Sequence, residues 1–99
     1  MMFINDNMEV SDELLKEIVY VKISSYRTNV LKSLEEDFKI PSVIAKEAGI
    51  RLNHISKVLS QLKDHGLIEC INPEVSKGRL YRLTETGEDV VKNLECFKI

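Results

Sequence analysis

Tryptophan is absent from this 99-residue chain, and aromatic residues make up only 6% of it. No apolar run approaches the roughly 20 residues that a bilayer-spanning helix needs, so no membrane partner is expected. The opening Met1-Met2-Phe3-Ile4-Asn5-Asp6 lacks the cationic and long apolar regions of a signal peptide, and a cytoplasmic location is expected. Two cysteines, Cys70 and Cys96, do not make a disulfide framework and fit a reduced compartment. Buried structural thiols are the expectation for both, with redox or metal sensing as the alternative. There is no Cys-x-x-Cys pair, no acidic metal loop and no glycine-rich phosphate cradle. Serine, histidine and aspartate occur without a nucleophile motif. His54 and His65 fall on one expected helix, about 16 Å apart by helical rise, too far to share a metal. Neither an enzyme nor a cofactor-binding protein is expected.

Hydrophobic residues form 43% of the chain, enough for one domain with a small core that dimerisation would help. The net charge of −2 is unevenly spread. Residues 39–82 carry eight cations and four anions, net +4, whereas residues 1–38 carry −4 and residues 83–99 carry −2. A basic centre between acidic flanks suits a protein that turns one face toward phosphate, although a 30% charged surface shows such asymmetry by chance as well.

Residues 1–10 read as a loose end. Ser11 before Asp12-Glu13 is a plausible N-cap with anions in the first turn, and Leu14, Leu15, Ile18 and Val19 follow helical spacing. A helix over 11–22 is expected, with a strand at Ile18-Val19-Tyr20-Val21 as the alternative. A second helix over 25–36 carries the apolar stripe Tyr26, Val30, Leu31 and Leu34, but ends on Glu35-Glu36-Asp37, which a helix C-terminus disfavours. Phe38-Lys39-Ile40 is an extended piece before Pro41. A short helix over 41–48 turns Ile44, Ala45 and Ala48 inward and stops at Gly49. The next helix, 52–65, buries Leu52, Ile55, Leu59 and Leu62 and stops at Gly66. Its outer face holds Asn53, His54, Ser56, Lys57, Ser60, Gln61 and Lys63, side chains able to read base edges and grip phosphate. An ordinary solvated face has the same composition.

Strand-like 67–71, the turn residues 72–78 and strand-like 79–84 make a hairpin with a cationic Lys77-Gly78-Arg79 tip. Thr84 then caps a last helix that buries Val90, Val91 and Leu94, weakened at its start by Thr86-Gly87. The fold class is mainly α with a small β-hairpin wing.

In this order the elements resemble the winged helix-turn-helix regulators, nearest the multiple-antibiotic-resistance-repressor and arsenic-repressor types and their small archaeal relatives. Ala45, Gly49 and Ile55 match the small residue, turn glycine and buried aliphatic of the helix-turn-helix pattern. Leu59-x-x-Leu62-x-x-x-Gly66-Leu67-Ile68 resembles the end of the recognition helix and the first wing strand. Lys77-Gly78-Arg79 with Tyr81-Arg82-Leu83-Thr84-x-x-Gly87 resembles the wing and the entry to the following helix. Ile40 departs from the family, whose members often place a threonine cap there.

The resemblance implies a double-stranded DNA partner. Asn53, His54, Ser56 and Lys57 fall where the family touches bases and nearby phosphates, Ser42 and Lys46 on the helix resting on the backbone, and Lys77 and Arg79 at the wing tip. Arg51 and Gln61 complete the expected interface. Residues 1–24 are expected to be an extension with a dimerisation helix, and residues 25–99 the DNA-binding domain with its C-terminal helix. The homodimer is expected through Leu14, Leu15, Ile18, Val91 and Leu94 and implies a pseudo-palindromic site. A winged helix used for protein contact within a larger assembly is the alternative.

Overall fold

The computed structural model describes residues 2–5 and 8–96. The described residues before Ser11 are not a loose end. Strands β1 (Met2–Asn5) and β2 (Met8–Val10) pair antiparallel, and Val10 is buried in the core, which anchors this end of the chain.

Helix α1 (Asp12–Lys22) begins where Ser11 Oγ accepts the Leu14 N–H at 3.1 Å. The helix prevails over the strand alternative because Ile18 and Val21, three residues apart, are both buried while Val19 between them is exposed. Helix α2 (Ser25–Ser33) is capped by Ser24 and buries Val30 and Leu31. It ends three residues earlier than its sequence suggests. The Leu34 and Glu35 N–H groups bond tightly back to Leu31 and Lys32 and close the helix. Glu35, Glu36 and Asp37 therefore lie beyond the helix, which removes the conflict with its dipole, and Asp37 accepts the Phe38 N–H at 2.8 Å. Tyr26, expected in the apolar stripe, is 45% exposed.

Helix α3 (Pro41–Ala48) ends at Gly49, whose φ of 72° gives the left-handed turn into α4 (Leu52–Asp64). Ile55, Val58, Leu59 and Leu62 of α4 are buried. Each such side chain contributes about 1.5–3 kcal/mol by leaving water, so this face rather than helix propensity holds α4 in place. Leu52, expected to be buried with them, is 64% exposed, because it lies at the first helical position, before the buried stripe begins.

Strands β3 (Ile68–Cys70) and β4 (Tyr81–Leu83) are shorter than their sequence suggests and pair antiparallel, with Glu69 opposite Arg82. Lys39, in the extended piece before Pro41, bridges to Tyr81 through two backbone hydrogen bonds and ties the hairpin to the start of α3. Cys70 is half-buried rather than buried, with Sγ 3.6 Å from Asn72 Oδ1; the side chain of Cys96 lies outside the described residues. Helix α5 (Glu85–Asn93) runs into a 3₁₀ turn, Leu94–Cys96. Val90 and Leu94 are buried, while Val91 is half-buried at the edge of the core. Helix α1 packs on α5 in the same chain, and Ile18 and Leu94, expected at the dimer interface, are buried in the core of the protomer. Leu14 and Leu15 stay partly accessible.

One close approach joins α4, the hairpin and α5. Gly66 ends α4 with a φ of 73°. Thr84 donates from its hydroxyl to the Gly66 carbonyl at 2.6 Å and from its backbone to the Leu67 carbonyl at 3.1 Å. The same hydroxyl accepts the Gly87 N–H at 3.0 Å and caps α5. A Cβ at Gly87 would stand 2.0 Å from the Leu67 carbonyl oxygen. Glycine here permits contact between two backbones, which is why it can open a helix it would otherwise weaken.

Gly87→Ala must push α5 off this carbonyl. The expected loss is roughly 1–3 kcal/mol, the usual cost of overpacking, seen as a lower urea midpoint with little change in slope. An unshifted midpoint would show that the contact does not constrain the fold.

Candidate nucleic-acid interface

The eight cations of residues 39–82 sort into two groups. Lys39 Nζ lies 2.6 Å from Glu47 and also reaches the Ser33 carbonyl, and Arg82 Nε lies 2.8 Å from Glu69 across the strand pair. Those two pairs neutralise two cations and two anions. Lys46, Arg51, Lys57, Lys63, Lys77 and Arg79 are exposed and enter none of the ion pairs among the described residues. Glu35, Glu36, Asp37 and Glu88 gather instead around Phe38 and Leu83, in a groove between the α2–α3 loop and α5 that Arg82 also lines. The surface is thus polarised by fold as well as by sequence.

Helix α4 places the free cations. At about 100° per residue, its buried stripe leaves Asn53, Lys57 and Ser60 as the outward edge. Asp64 continues this edge at the helix C-terminus, so the first two turns are the part suited to a phosphate-lined groove. Two grooves flank the edge. The first, toward the hairpin, is lined by Ser56, Ser60 and Lys63 of α4, Arg79 and Tyr81 of the hairpin, and Pro41. The second, toward the start of α2, is lined by His54, Lys57, Val58 and Gln61 with Ser24 and Tyr26.

The hairpin tip is built by Asn72. Its Oδ1 accepts the Leu80 N–H at 2.7 Å and its Nδ2 donates to the Gly78 carbonyl at 3.2 Å. Gly78 supplies a φ of 75°. Arg79 Nε donates to the Val75 carbonyl at 2.7 Å, which fixes the guanidinium while its terminal nitrogens make no hydrogen bond to a described residue. Lys77 is exposed beside it.

The helix starts differ in a regular way. Helices α1, α2 and α5 are capped by Ser11, Ser24 and Thr84. Helices α3 and α4 begin at Ile40 and Arg51 with no side-chain cap. Pro41 has no N–H and the Val43 and His54 N–H groups bond back to Ile40 and Arg51, which leaves the N–H groups of Ser42, Leu52 and Asn53 open to an anionic acceptor such as phosphate.

Of the residues expected at this interface, Ser42, Lys46, Arg51, Asn53, His54, Ser56, Lys57, Lys77 and Arg79 are exposed and Gln61 is half-buried. The structure brings Ser56 and Arg79 together in the first groove, and His54, Lys57 and Gln61 in the second. Ser42 and Lys46 lie on α3 outside both. Lys63 and Tyr26 were not expected. Lys63 was visible as an outer-face cation, whereas Tyr26 was hidden by its apparent membership of an apolar stripe. His65 is occupied elsewhere, stacked on Tyr20 at 3.6 Å and 3.0 Å from Glu17. Arg27 lies 3.8 Å over the same Tyr20 ring, necessarily on its other face, so this stack clamps the end of α4 to α1 and α2.

A family model described as winged helix-turn-helix matches residues 25–99. The chain belongs to the winged helix-turn-helix family. None of the curated proteins compared with it matches. Among solved structures, the fold is similar to that of a MarR family transcription regulator, with a TM-score of 0.67 and 20% identity over 83% of this chain and 56% of that one. It is similar to a mutant of ZitR from Lactococcus lactis, with a TM-score of 0.58 and 18% identity over 94% of this chain and 57% of that one. A third is the homodimeric winged helix-turn-helix DNA-binding domain of Mb0332 from Mycobacterium bovis, a possible ArsR-family regulator, with a TM-score of 0.57 and 23% identity over 92% of this chain and 84% of that fragment. The chain spans little more than half the length of the first two. At these identities the likeness is one of fold.

Asn72→Ala removes both side-chain bonds that shape the wing tip. Amide exchange at Leu80, whose N–H loses its acceptor, should quicken at least tenfold, with a global loss of only about 1–2 kcal/mol. Unchanged exchange at Leu80 would show that the tip is held by other means.

Proposed function

We propose that this chain is a cytoplasmic, dimeric, sequence-specific DNA-binding transcriptional regulator. Helix α4 enters the major groove and the wing, residues 72–79, rests on the flanking backbone or minor groove. The observation that carries this reading is the α4 edge. Asn53, Lys57 and Ser60 project together, free of carboxylate partners, between two polar grooves and beside a cationic hairpin tip. Such an edge offers bidentate and hydroxyl contacts to bases and a cation to phosphate. The open starts of α3 and α4 add backbone donors on the same side. Residues 25–99 serve as the DNA-binding unit. Residues 1–24 add a helix that shares the same core through Ile18 and Val21.

For the homodimer we favour a surface that keeps Leu14, Leu15 and Val91 of the set read in the sequence and adds Val19 and Ile23. Leu15, Val19 and Ile23 follow i, i+4, i+8 along α1 and its cap, and Ile23 is 65% exposed. This apolar stripe, with the half-exposed Leu14 and Val91 beside the core, suits a second copy of the chain. A two-fold axis then sets two half-sites about one helical turn apart, or a small multiple of it.

A second reading, protein contact within a larger assembly, is favoured by the acidic groove around Phe38, which is 47% exposed. Binding of the full chain to random-sequence duplex DNA across a salt series separates the two. Affinity that falls steeply with salt supports the regulator, and no binding at low salt supports protein contact.

Lys57→Ala should weaken binding on every duplex and lower the salt slope by about one unit; an unchanged slope would remove Lys57 from the phosphate contacts. Ile23→Asp should yield a folded monomer by sedimentation, because the side chain is already outside the core. A dimer of unchanged affinity would place the interface elsewhere.

A further inference from the structure

We infer that the groove between the start of α2 and α4 is a second phosphate site, on the flank of α4 opposite the wing, and that Tyr26 is its hydroxyl donor. The inference rests on the DNA-binding reading and deepens it by assigning the two backbone strands to the two flanks.

The geometry of α4 requires two flanks to be considered. An α-helix with its side chains is about 10–12 Å across and the major groove about 12 Å wide, so a helix lying in it has a backbone strand on each side. The wing serves one side, where its Arg79 meets Lys63 and the hydroxyls of Ser56 and Ser60 of α4. On the other side the sequence offers no second wing. The fold supplies the start of α2 there, facing His54, Lys57 and Gln61 across the groove. By helical rotation the two sets lie roughly a third of the circumference apart, with Asn53 and the outward edge between them.

Tyr26 is unusual within this arrangement. It stands at the second position of α2, in a place where the sequence repeat calls for a core residue, yet it is 45% exposed. Its hydroxyl makes no hydrogen bond to a described residue. Tyr26 lines this groove together with Lys57 and Val58. A tyrosine there presents a neutral donor, and a neighbouring lysine presents the charge. Together they fit a non-bridging phosphodiester oxygen, a contact that positions the helix without reading sequence.

The test uses the full-length dimer and a short random-sequence duplex. Tyr26→Phe deletes only the hydroxyl. It should weaken binding about three- to tenfold, as expected for the net loss of one solvent-accessible hydrogen bond. The salt slope should stay unchanged, because a neutral donor displaces no counterion. Tyr26→Arg should steepen the slope by about one unit, since it places a cation where the phosphate lies. On a selected site, phosphate ethylation should interfere on both strands for the wild type. In Tyr26→Phe the interference opposite the wing should fade while that beside the wing persists. Equal affinity of Tyr26→Phe and wild type, an unchanged slope for Tyr26→Arg, or interference confined to the wing strand would each overturn the inference and leave the DNA reading standing. A wild-type chain that fails to bind the duplex at low salt would overturn the DNA reading, and the inference with it.

Discussion

The contact between Gly87 and the Leu67 carbonyl is the constraint on which the arrangement depends. It brings the end of α4, the first strand of the wing and the first turn of α5 to one point, within the span of a single missing Cβ. Thr84 completes the junction, using one hydroxyl both to donate to Gly66 and to accept from Gly87. Because the strands between these points are only three residues long, the direction of the wing is set largely where the chain enters and leaves it. The Lys39–Tyr81 bridge fixes the other side of β4 against the start of α3. The wing is therefore referenced to both helices of the helix-turn-helix rather than hanging from a flexible loop.

The same economy governs charge. The central span has the same net charge whether or not its members pair, but pairing decides where the charge is felt. Glu47 and Glu69 are taken up by Lys39 and Arg82, away from the α4 edge. The cations left free line α3, α4 and the wing tip, while the unpaired acids near Phe38 and α5 lie apart from them. An acidic protein can thus carry a basic face, and steering depends on that face rather than on the net charge. The uncapped starts of α3 and α4 belong to the same pattern. Where a serine or threonine side chain would add an acceptor, Ile40 and Arg51 add none, and the N–H groups of Ser42, Leu52 and Asn53 stay open.

The proposed dimer and DNA contacts would share one support. The Tyr20 ring, held between His65 and Arg27, binds the end of α4 to α1 and α2. A partner seated on the outer stripe of α1 would be coupled through that stack to the orientation of α4.

Much of the fold was legible in the chain itself, because it is written in local chemistry. Ser11 and Thr84 set helix starts through side-chain caps, Gly49 and Gly66 set helix ends through positive φ, and the spacing of Ile55, Leu59 and Leu62 set the inner face of α4. The outer face of α4 and the Lys77-Gly78-Arg79 tip followed from the same periodicity. What local pattern could not decide was what each face would meet. Tyr26 fitted an apolar repeat and came out beside α4, Leu52 fitted the inner stripe and came out exposed, and Ile18 and Leu94 looked available to a partner and were buried in the protomer's own core. Glu35, Glu36 and Asp37 were uncomfortable on a helix until the helix stopped before them. The sequence by itself determined the elements, their order and the distribution of charge, since each depends on neighbours within a few residues. Only the tertiary structure decided which cations stay free, which apolar residues remain outside and which side chains share a groove, because those depend on residues far apart in the chain.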